Sequence, residues 1–201
     1  MGLKKRLCLS QDNSAVTPKE DLMRSLRKSP VKDLQWVQPK ALKRYHEMKA
    51  DDELYGTLSW KKPLGSLAVG VCAEESYSFK KGGFLRPYVT VRRLSQEDEI
   101  GRMDVKLGQN GVLEFVDGHR YELRKSSFWR PRWALLDEYG ETVCTFVRKS
   151  LRLRLSGEVS ISEGITRRAH LPLLILIGWY VIVTLAEEEA TAVGAAAGGS
   201  S

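Results

Sequence analysis

The sequence predicts a mainly β protein in which about twelve antiparallel strands form a barrel around a hydrophobic C-terminal helix. From Leu34 onward, short runs of alternating apolar and polar residues are separated by turn residues, as in all-β domains. Three of those turns contain glycine at positions that suit hairpins between neighbouring strands. Near the C-terminus, a 15-residue run from Leu171 to Leu185 is apolar on every side, so protein or lipid must enclose it.

The alternating runs predict twelve strands. The second of them competes with a helical turn over Ala41–Met48, which would follow Pro39. The predicted strands are 34–38, 43–49, 53–60, 66–72, 76–80, 87–94, 101–107, 112–116, 120–124, 132–137, 142–148 and 151–161.

Hairpin pairing is restricted because paired strands must keep their apolar residues on one face. A two-residue loop at 117–118 would place Phe115 opposite Arg120. A three-residue loop over Asp117–His119 places Phe115 opposite Tyr121 instead, and we favour it. The same test gives three-residue loops at 109–111 and 138–140, and consecutive hairpins of this kind predict an antiparallel meander. The pairs that these two loops predict are Leu107 with Leu113 and Leu135 with Val143.

The apolar run is short for a membrane span. As a helix it measures roughly 22 Å, at about 1.5 Å per residue, whereas a bilayer core is about 30 Å thick. A seven-residue strand spans roughly 23 Å, so the helix matches the height of a barrel built from such strands. We therefore predict a central helix over 169–186, in which Gly178 lets a neighbouring side chain approach closely. The alternative is a tail-anchored membrane protein in which residues 169–186 span the bilayer.

Composition divides the chain into three parts. Residues 1–33 form a basic extension, residues 34–186 form the barrel with its helix, and residues 187–201 form a disordered tail rich in Ala, Gly and Ser. The first 50 residues hold 12 Lys and Arg against 5 Asp and Glu, whereas the remainder holds 20 of each. The excess positive charge is thus concentrated near the N-terminus, which suits an arm that meets an anionic surface.

Local signals mark two helix boundaries. Within the basic extension, a capping box over Thr17–Glu20 predicts the start of a short helix, and Pro30 predicts its end. At the other end of the chain, Glu187–Glu189 predicts the end of the central helix, because acidic groups at a helix C-terminus oppose the helix dipole.

No arrangement of residues in the sequence predicts an active site. His46, His119 and His170 lack the spacing of metal ligands, and the glycine motifs that bind phosphates and nucleotides are missing. The three cysteines are dispersed, which argues against a zinc site or a disulfide framework and fits a reducing cytosol. We therefore expect a non-enzymatic protein without a metal, a cofactor or a small-molecule substrate.

Several aromatic landmarks of the chain resemble those of uncharacterised bacterial proteins related to the tubby C-terminal-like superfamily, which includes phospholipid scramblases and LURP-one-related plant proteins. The resemblance covers residues 34–186 and implies a twelve-stranded barrel around a hydrophobic helix, with scaffolding or membrane-linked work. The cysteine clusters and acidic calcium-binding segments of scramblases are missing, which argues against scramblase activity. The landmarks are Leu34–Pro39, Leu58–Trp60, Gly83–Phe84, Phe128–Trp129, Trp133, Leu136–Gly140 and the apolar run up to Tyr180.

Basic residues are the candidates for a binding surface. They suit an anionic phospholipid or a protein partner, and the basic extension lacks the interleaved aromatic residues that favour nucleic acid. We expect a cytoplasmic protein that is peripheral to the inner face of the membrane. For the strand positions, the alternative is a solvated exterior of mixed charge. The candidates are Lys4, Lys5, Arg6, Arg24, Arg27, Lys28, Arg92, Arg93, Arg152 and Arg154.

Overall fold

Twelve antiparallel strands form a closed barrel around a helix in the computed structural model of the protein. The structure describes residues 23–106, 110–126, 131–151, 154–165 and 170–198. All twelve predicted strands are confirmed, including the second. The elements are β1 (Asp33–Val37), β2 (Tyr45–Ala50), β3 (Glu53–Trp60), β4 (Ala68–Cys72), β5 (Ser76–Gly82), β6 (Tyr88–Arg93), β7 (Glu99–Lys106), β8 (Asn110–Phe115), β9 (Arg120–Lys125), β10 (Arg132–Asp137), β11 (Thr142–Leu151), β12 (Arg154–Ile161) and α1 (Leu171–Gly198).

The strands follow one another around the barrel in sequence order. Each pairs antiparallel with its neighbours, and β1 pairs with β12 to close the sheet. Closure removes the sheet edges that could otherwise pair with another chain. Alternation decides which side chains point inward. In β1, Leu34 and Trp36 are buried, whereas Asp33 and Gln35 are exposed.

The helix α1 fills the barrel. Every residue from Leu171 to Val183 is buried, because strands surround this part of the helix on all sides. Trp179 stacks on Trp36 of β1 with ring centroids 5.7 Å apart, and Tyr180 stacks on Trp60 of β3 at 5.6 Å. These stacked pairs help to fix the rotation of the helix and its height inside the barrel.

Two glycines allow the helix and the wall to approach closely. A Cβ atom at Gly178 of α1 would lie 2.5 Å from the ring of Phe146 in β11. A Cβ atom at Gly157 of β12 would lie 2.4 Å from the indole of Trp179. Because non-bonded carbon atoms prefer separations of about 3.5–4.0 Å, a larger residue at either position would have to displace an aromatic ring. The predicted close approach at Gly178 is confirmed.

In the hairpin between β8 and β9 the apolar residues share one face, as predicted, but the residue pairs differ from those predicted. The Phe115 N–H donates to the carbonyl of His119 at 2.9 Å, so Phe115 lies opposite His119 rather than Tyr121. The loop is therefore Val116–Gly118, and Gly118 has a φ of 90°. The prediction was wrong because it placed His119 third in the loop, where a left-handed conformation favours glycine.

The hairpin between β7 and β8 also turns earlier than predicted. Leu113 pairs with Met103 rather than with Leu107. The connecting residues 107–109 lie outside the described part of the chain. The shift is an even number of residues, so the apolar side chains still face the helix.

The turn between β10 and β11 is where the sequence predicted it, and Gly140 has a φ of 80°. The pairing beyond it differs, because a β-bulge between Leu135 and Leu136 shifts the register. Leu135 consequently pairs with Cys144 instead of Val143. A bulge of this kind leaves no mark in the alternating pattern of a single strand.

The helix α1 continues past Glu187–Glu189 to Gly198. The predicted helix end at 186 is therefore wrong, and so is the predicted disorder over 187–198. The acidic residues do not end the helix, because each one pairs with a basic side chain of the barrel. The alanines that follow favour helix. The pairs are Arg44–Glu187, Lys81–Glu188 and Arg148–Glu189.

The described part of the basic extension belongs to the barrel domain, contrary to the predicted boundary at residue 33. Met23 and Leu26 are buried, and Leu26 joins the hydrophobic core around α1. The Arg24 N–H donates to the carbonyl of Leu54 at 2.7 Å. The predicted helix before Pro30 appears here only as a turn, and residues 1–22 lie outside the described range.

Replacing Gly178 with leucine is expected to destabilise the protein by about 1–3 kcal/mol or more, because the new side chain would overpack the contact with Phe146. Urea unfolding of the protein in detergent-free buffer measures the change. In a Phe146→Leu background, Gly178→Ala should cost less than it does in the wild type, since the smaller side chain makes room. Wild-type stability of Gly178→Leu would contradict the enclosure of the helix.

Candidate functional site

The turns that join the strands differ in charge between the two ends of the barrel. Because consecutive strands alternate in direction, the connections between them alternate between the two ends. We call the end at which α1 begins the acidic end. The connection from β12 to α1 also begins at this end, and the sequence 162–170 contains Glu163, Arg167 and Arg168. The turns that join strands at this end are 51–52, 73–75, 94–98, 116–119 and 138–141, and their sequences contain no Lys or Arg. Their acidic residues are Asp51, Asp52, Glu74, Glu75, Glu97, Asp98, Asp117, Glu138 and Glu141.

We call the end from which α1 emerges the basic end. Its described connections are 38–44, 61–67 and 83–87, and their sequences contain no Asp or Glu. Sequence reasoning missed this surface because it averaged the charge of residues 51–201 to zero. The available signal was the alternation of acidic and basic connections along an antiparallel meander. The basic residues of these connections are Lys40, Lys43, Arg44, Lys61, Lys62 and Arg86.

Basic side chains on the outer wall lie beside acidic ones. This pairing supports the mixed-charge exterior that was the alternative for the strand positions, and exposed pairs of this kind contribute only about 0–1 kcal/mol. The wall pairs are Arg92–Glu99, Arg102–Asp104, Arg120–Glu114, Arg124–Glu122 and Lys149–Glu158.

Most cations of the basic end have no such partner. Within the part of the chain that the structure describes, no carboxylate lies within 4.0 Å of their side-chain nitrogens. Their charge is thus available to an anion from outside. These unpaired residues are Lys40, Lys43, Lys61, Lys62 and Arg86, together with Lys106, Lys125, Arg132 and Arg154 at the adjoining strand ends.

Among the cations of these three loops, Arg44 is the one that pairs with the helix. Its guanidinium forms two hydrogen bonds to the carboxylate of Glu187, at 2.7 and 2.6 Å. It also donates to the carbonyls of Pro63 and Gly65 and lies over the ring of Trp60. A planar, five-donor guanidinium suits this combination of contacts. Arg44 therefore connects the emerging helix to the β3–β4 loop.

Large apolar side chains project from the same loops. Leu64 and Phe84 are fully exposed, at 101% and 99%, and Leu42 and Leu85 are 80% and 89% exposed. A cavity of about 740 Å³ lies beside Leu85 and is lined by basic and apolar side chains as well as two acidic ones. Its lining residues are Lys81, Leu85, Arg86, Pro87, Arg102, Asp104, Val105, Lys106, Leu185 and Glu188.

The structure distributes the predicted site residues between the two ends and the wall. Arg24, Arg27 and Lys28 lie at the acidic end, where Arg24 pairs with Glu53 at 2.7 Å. The segment before β1 thus meets acidic groups of its own barrel. Arg92 and Arg93, on β6, lie near the same end, and Arg93 is close to Glu75 and Asp98, at 3.8 and 4.0 Å. Arg154 begins β12 at the basic end, whereas Lys4, Lys5, Arg6 and Arg152 lie outside the described residues.

Two of the three histidines lie close together at the acidic end, which their sequence spacing did not suggest. His170 is 3.3 Å from a carboxylate oxygen of Asp117 and packs on Phe115. The ring of His119 lies 5.4 Å from that of His170. Burial lowers the pKa of His170, although Asp117 raises it. The cavity beside them, of about 260 Å³, has no serine, threonine or cysteine among its described lining residues.

The third histidine, His46 of β2, lies inside the barrel between Trp60 and Trp179. Burial, and secondarily the charge of Arg44, lower its pKa from 6.5 to about 4. Its Nδ1 atom has no hydrogen-bond partner among the described residues. His46 is therefore a neutral core residue at pH 7.

Other chemistry-bearing residues of the described part are similarly enclosed. Burial raises the pKa of the Cys144 thiol and raises that of Cys72 to about 12, so neither thiol is activated. Among the described residues, no group of three or more His, Cys, Asp or Glu side chains is placed to hold a metal ion.

The apolar part of α1 is long enough to be considered for a membrane span. By length and composition, the stretch Leu171–Val193 could cross a bilayer, and 72% of its most apolar window is buried inside the barrel. Core helices of soluble proteins have the same length and composition, so the stretch alone is weak evidence for a span.

No protein-family model matches the chain, and neither a curated protein nor a solved structure is significantly similar to it. The resemblance to the tubby C-terminal-like superfamily therefore stays a prediction. The same is true of the membrane-linked work that the resemblance implies.

The buried His46 predicts a pH dependence of stability. Its pKa is about 4 when folded and 6.5 when exposed, so protonation favours the unfolded chain. The stability is full above pH 6.5 and is lost as the pH falls towards 4. Between pH 7 and 4.5 the loss is about 2–3 kcal/mol from this residue. His46→Phe should remove that part of the loss in urea unfolding at the two pH values. Equal losses in both proteins would contradict a neutral, buried His46.

Proposed function

We propose that this protein is a non-enzymatic scaffold that binds anionic phospholipid peripherally through its basic end. The observation that carries the proposal is the segregation of charge between the two ends of the barrel. The described loops of the basic end contain Lys and Arg without Asp or Glu, and most of these cations have no partner. A bilayer that contains anionic lipid presents a plane of negative charge that complements such a surface.

The small binding free energy that each basic residue contributes favours a surface with many contacts over a single deep site. Each basic residue near an anionic membrane contributes about 1 kcal/mol. Several cations on three loops can therefore give useful affinity without a preformed pocket. The acidic end is repelled by the same membrane, so the field of the barrel favours one orientation. This proposal moves the binding surface away from Arg24, Arg27 and Lys28, which lie at the acidic end.

A cytoplasmic protein that docks at the inner face of the membrane fits this surface, since that face carries anionic lipid. A tail-anchored protein is the second candidate, because Leu171–Val193 is apolar enough to span. Spanning would require the helix to leave the barrel. That step would break the stacking of Trp179 on Trp36 and of Tyr180 on Trp60.

Co-sedimentation of the full chain with vesicles tests the proposal. We expect binding to vesicles that contain phosphatidylserine or phosphatidylglycerol, none to pure phosphatidylcholine, and release by high salt. Charge reversal by Lys43→Glu with Lys62→Glu should weaken binding at least tenfold, because four units of charge change at the surface. The matched double variant Arg27→Glu with Lys28→Glu reverses the same amount of charge at the acidic end and should weaken it far less.

Three results would contradict the proposal. Absence of binding to anionic vesicles at low salt would exclude the lipid surface. A greater loss in the Arg27/Lys28 variant would move the surface to the N-terminal segment. Protein that requires detergent for purification and resists a high-salt wash would support the tail anchor instead.

A further inference from the structure

We propose that the apolar side chains of the basic end insert into the bilayer, so that the barrel binds the membrane with its basic end facing the lipid. The inserting residues are Leu42, Leu64, Phe84 and Leu85. This inference rests on the proposed function and specifies its binding mode. It predicts that binding to lipid is partly hydrophobic, in addition to the electrostatic attraction between basic side chains and anionic headgroups.

Each of the three loops combines an exposed apolar residue with a cation close by in sequence. Leu42 precedes Lys43, Leu64 follows Lys62 by two positions, and Leu85 precedes Arg86. An apolar tip beside a basic side chain suits the boundary between acyl chains and headgroups, where the tip enters the apolar layer and the cation meets a phosphate. Three independent loops at one end of the barrel repeat this arrangement.

The backbone at Leu42 is unusual in a way that insertion would explain. Leu42 has a φ of 65°, a left-handed conformation that is unfavourable for a residue with a Cβ atom. A glycine or asparagine would adopt it more readily. An exposed leucine in this conformation gives the free protein no packing in return, because its side chain is 80% exposed.

The cavity beside Leu85 adds a place for the lipid headgroup. Its two carboxylates, Asp104 and Glu188, pair with Arg102 and Lys81. This leaves Arg86 and Lys106 as lining cations without a carboxylate partner among the described residues, and Leu85 and Leu185 add apolar surface. A phosphate near the two cations would leave an acyl chain next to the two leucines. The cavity therefore offers cations to a phospholipid headgroup and apolar surface to the acyl chain next to it.

The helix α1 also projects from this end. After Glu189, which pairs with Arg148, the helix continues to Gly198, and the sequence 190–198 contains no charged residue. These nine residues of uncharged helix can enter the boundary region without burying a charge. Further acidic residues after Glu189 would have been repelled by an anionic bilayer and would have opposed the proposed orientation.

The arrangement favours a bilayer over a folded protein partner. The exposed apolar side chains lie on three different loops at the end from which the helix emerges. A protein would need a matching pocket for each tip, whereas a fluid bilayer adapts to all of them. The exposed Val116 and Tyr139 at the other end lie among acidic turns instead, where an anionic membrane would be repelled.

An environment-sensitive fluorophore tests insertion directly. In a Cys8→Ser background, NBD is attached to Phe84→Cys or, as the matched control, to Val116→Cys. The remaining thiols, Cys72 and Cys144, are buried and should stay unlabelled. Vesicles with phosphatidylserine should shift the emission of the label at 84 to the blue and raise its intensity, whereas the label at 116 should stay in water.

A binding measurement complements the probe. The triple variant Leu64→Ser, Phe84→Ser and Leu85→Ser keeps every charge and replaces only side chains that are exposed in the folded protein. Its partition onto anionic vesicles should fall at least tenfold. The control variant Val116→Ser with Tyr139→Ser should bind like the wild type. Thermal unfolding of all variants checks that the fold is kept.

The outcomes separate this inference from the proposed function. If the wild type does not bind anionic vesicles, the proposed function itself fails. If the wild type and the triple variant bind alike and the label at 84 stays in water, binding is electrostatic and insertion is wrong. If the wild type dimerises in solution and the triple variant is monomeric, the apolar loops join two copies of the chain, which also overturns insertion.

Discussion

The enclosure of α1 by the barrel is the constraint on which the rest of the structure depends. Leu171–Val183 has no polar side that water could solvate, and a barrel of twelve strands has an interior that wall side chains alone do not fill. Each part therefore requires the other. The contacts are specific as well as apolar, because Gly178 receives the ring of Phe146 and Gly157 receives the indole of Trp179. Folding of the strands and placement of the helix should consequently be one cooperative event.

The closed meander that encloses α1 also determines where the charged connections of the molecule lie. A meander that closes on itself sends alternate connections to opposite ends, so acidic turns gather where α1 begins and basic loops gather where it emerges. Where the helix leaves the barrel, Glu187–Glu189 pairs with the nearest cations, Arg44, Lys81 and Arg148. The remaining cations of that end stay unpaired. A sequence that is neutral overall from residue 51 onward thus gives a molecule with two different ends.

Much of the fold could be predicted from the sequence, because alternation and turn residues are local signals. The strands, the meander and the close approach at Gly178 follow from such signals. The hairpin registers did not, since the bulge beside Leu135 and the loop over Val116–Gly118 depend on how whole strands pair. The end of α1 was missed for a similar reason, because its acidic residues find partners distant in sequence. The unpaired basic loops required the topology before they could be recognised as one surface.

Hydrogen exchange of the backbone amides, followed in detergent-free solution, tests the enclosure of α1 most directly. Amides buried inside the barrel should exchange only through global unfolding, whereas those of the projecting part should exchange faster. We expect residues 175–183 to be among the most protected of the protein and residues 190–198 to exchange far more readily. Rapid exchange across 175–183 while the strands stay protected would show that the helix lies outside the barrel, and would contradict the account.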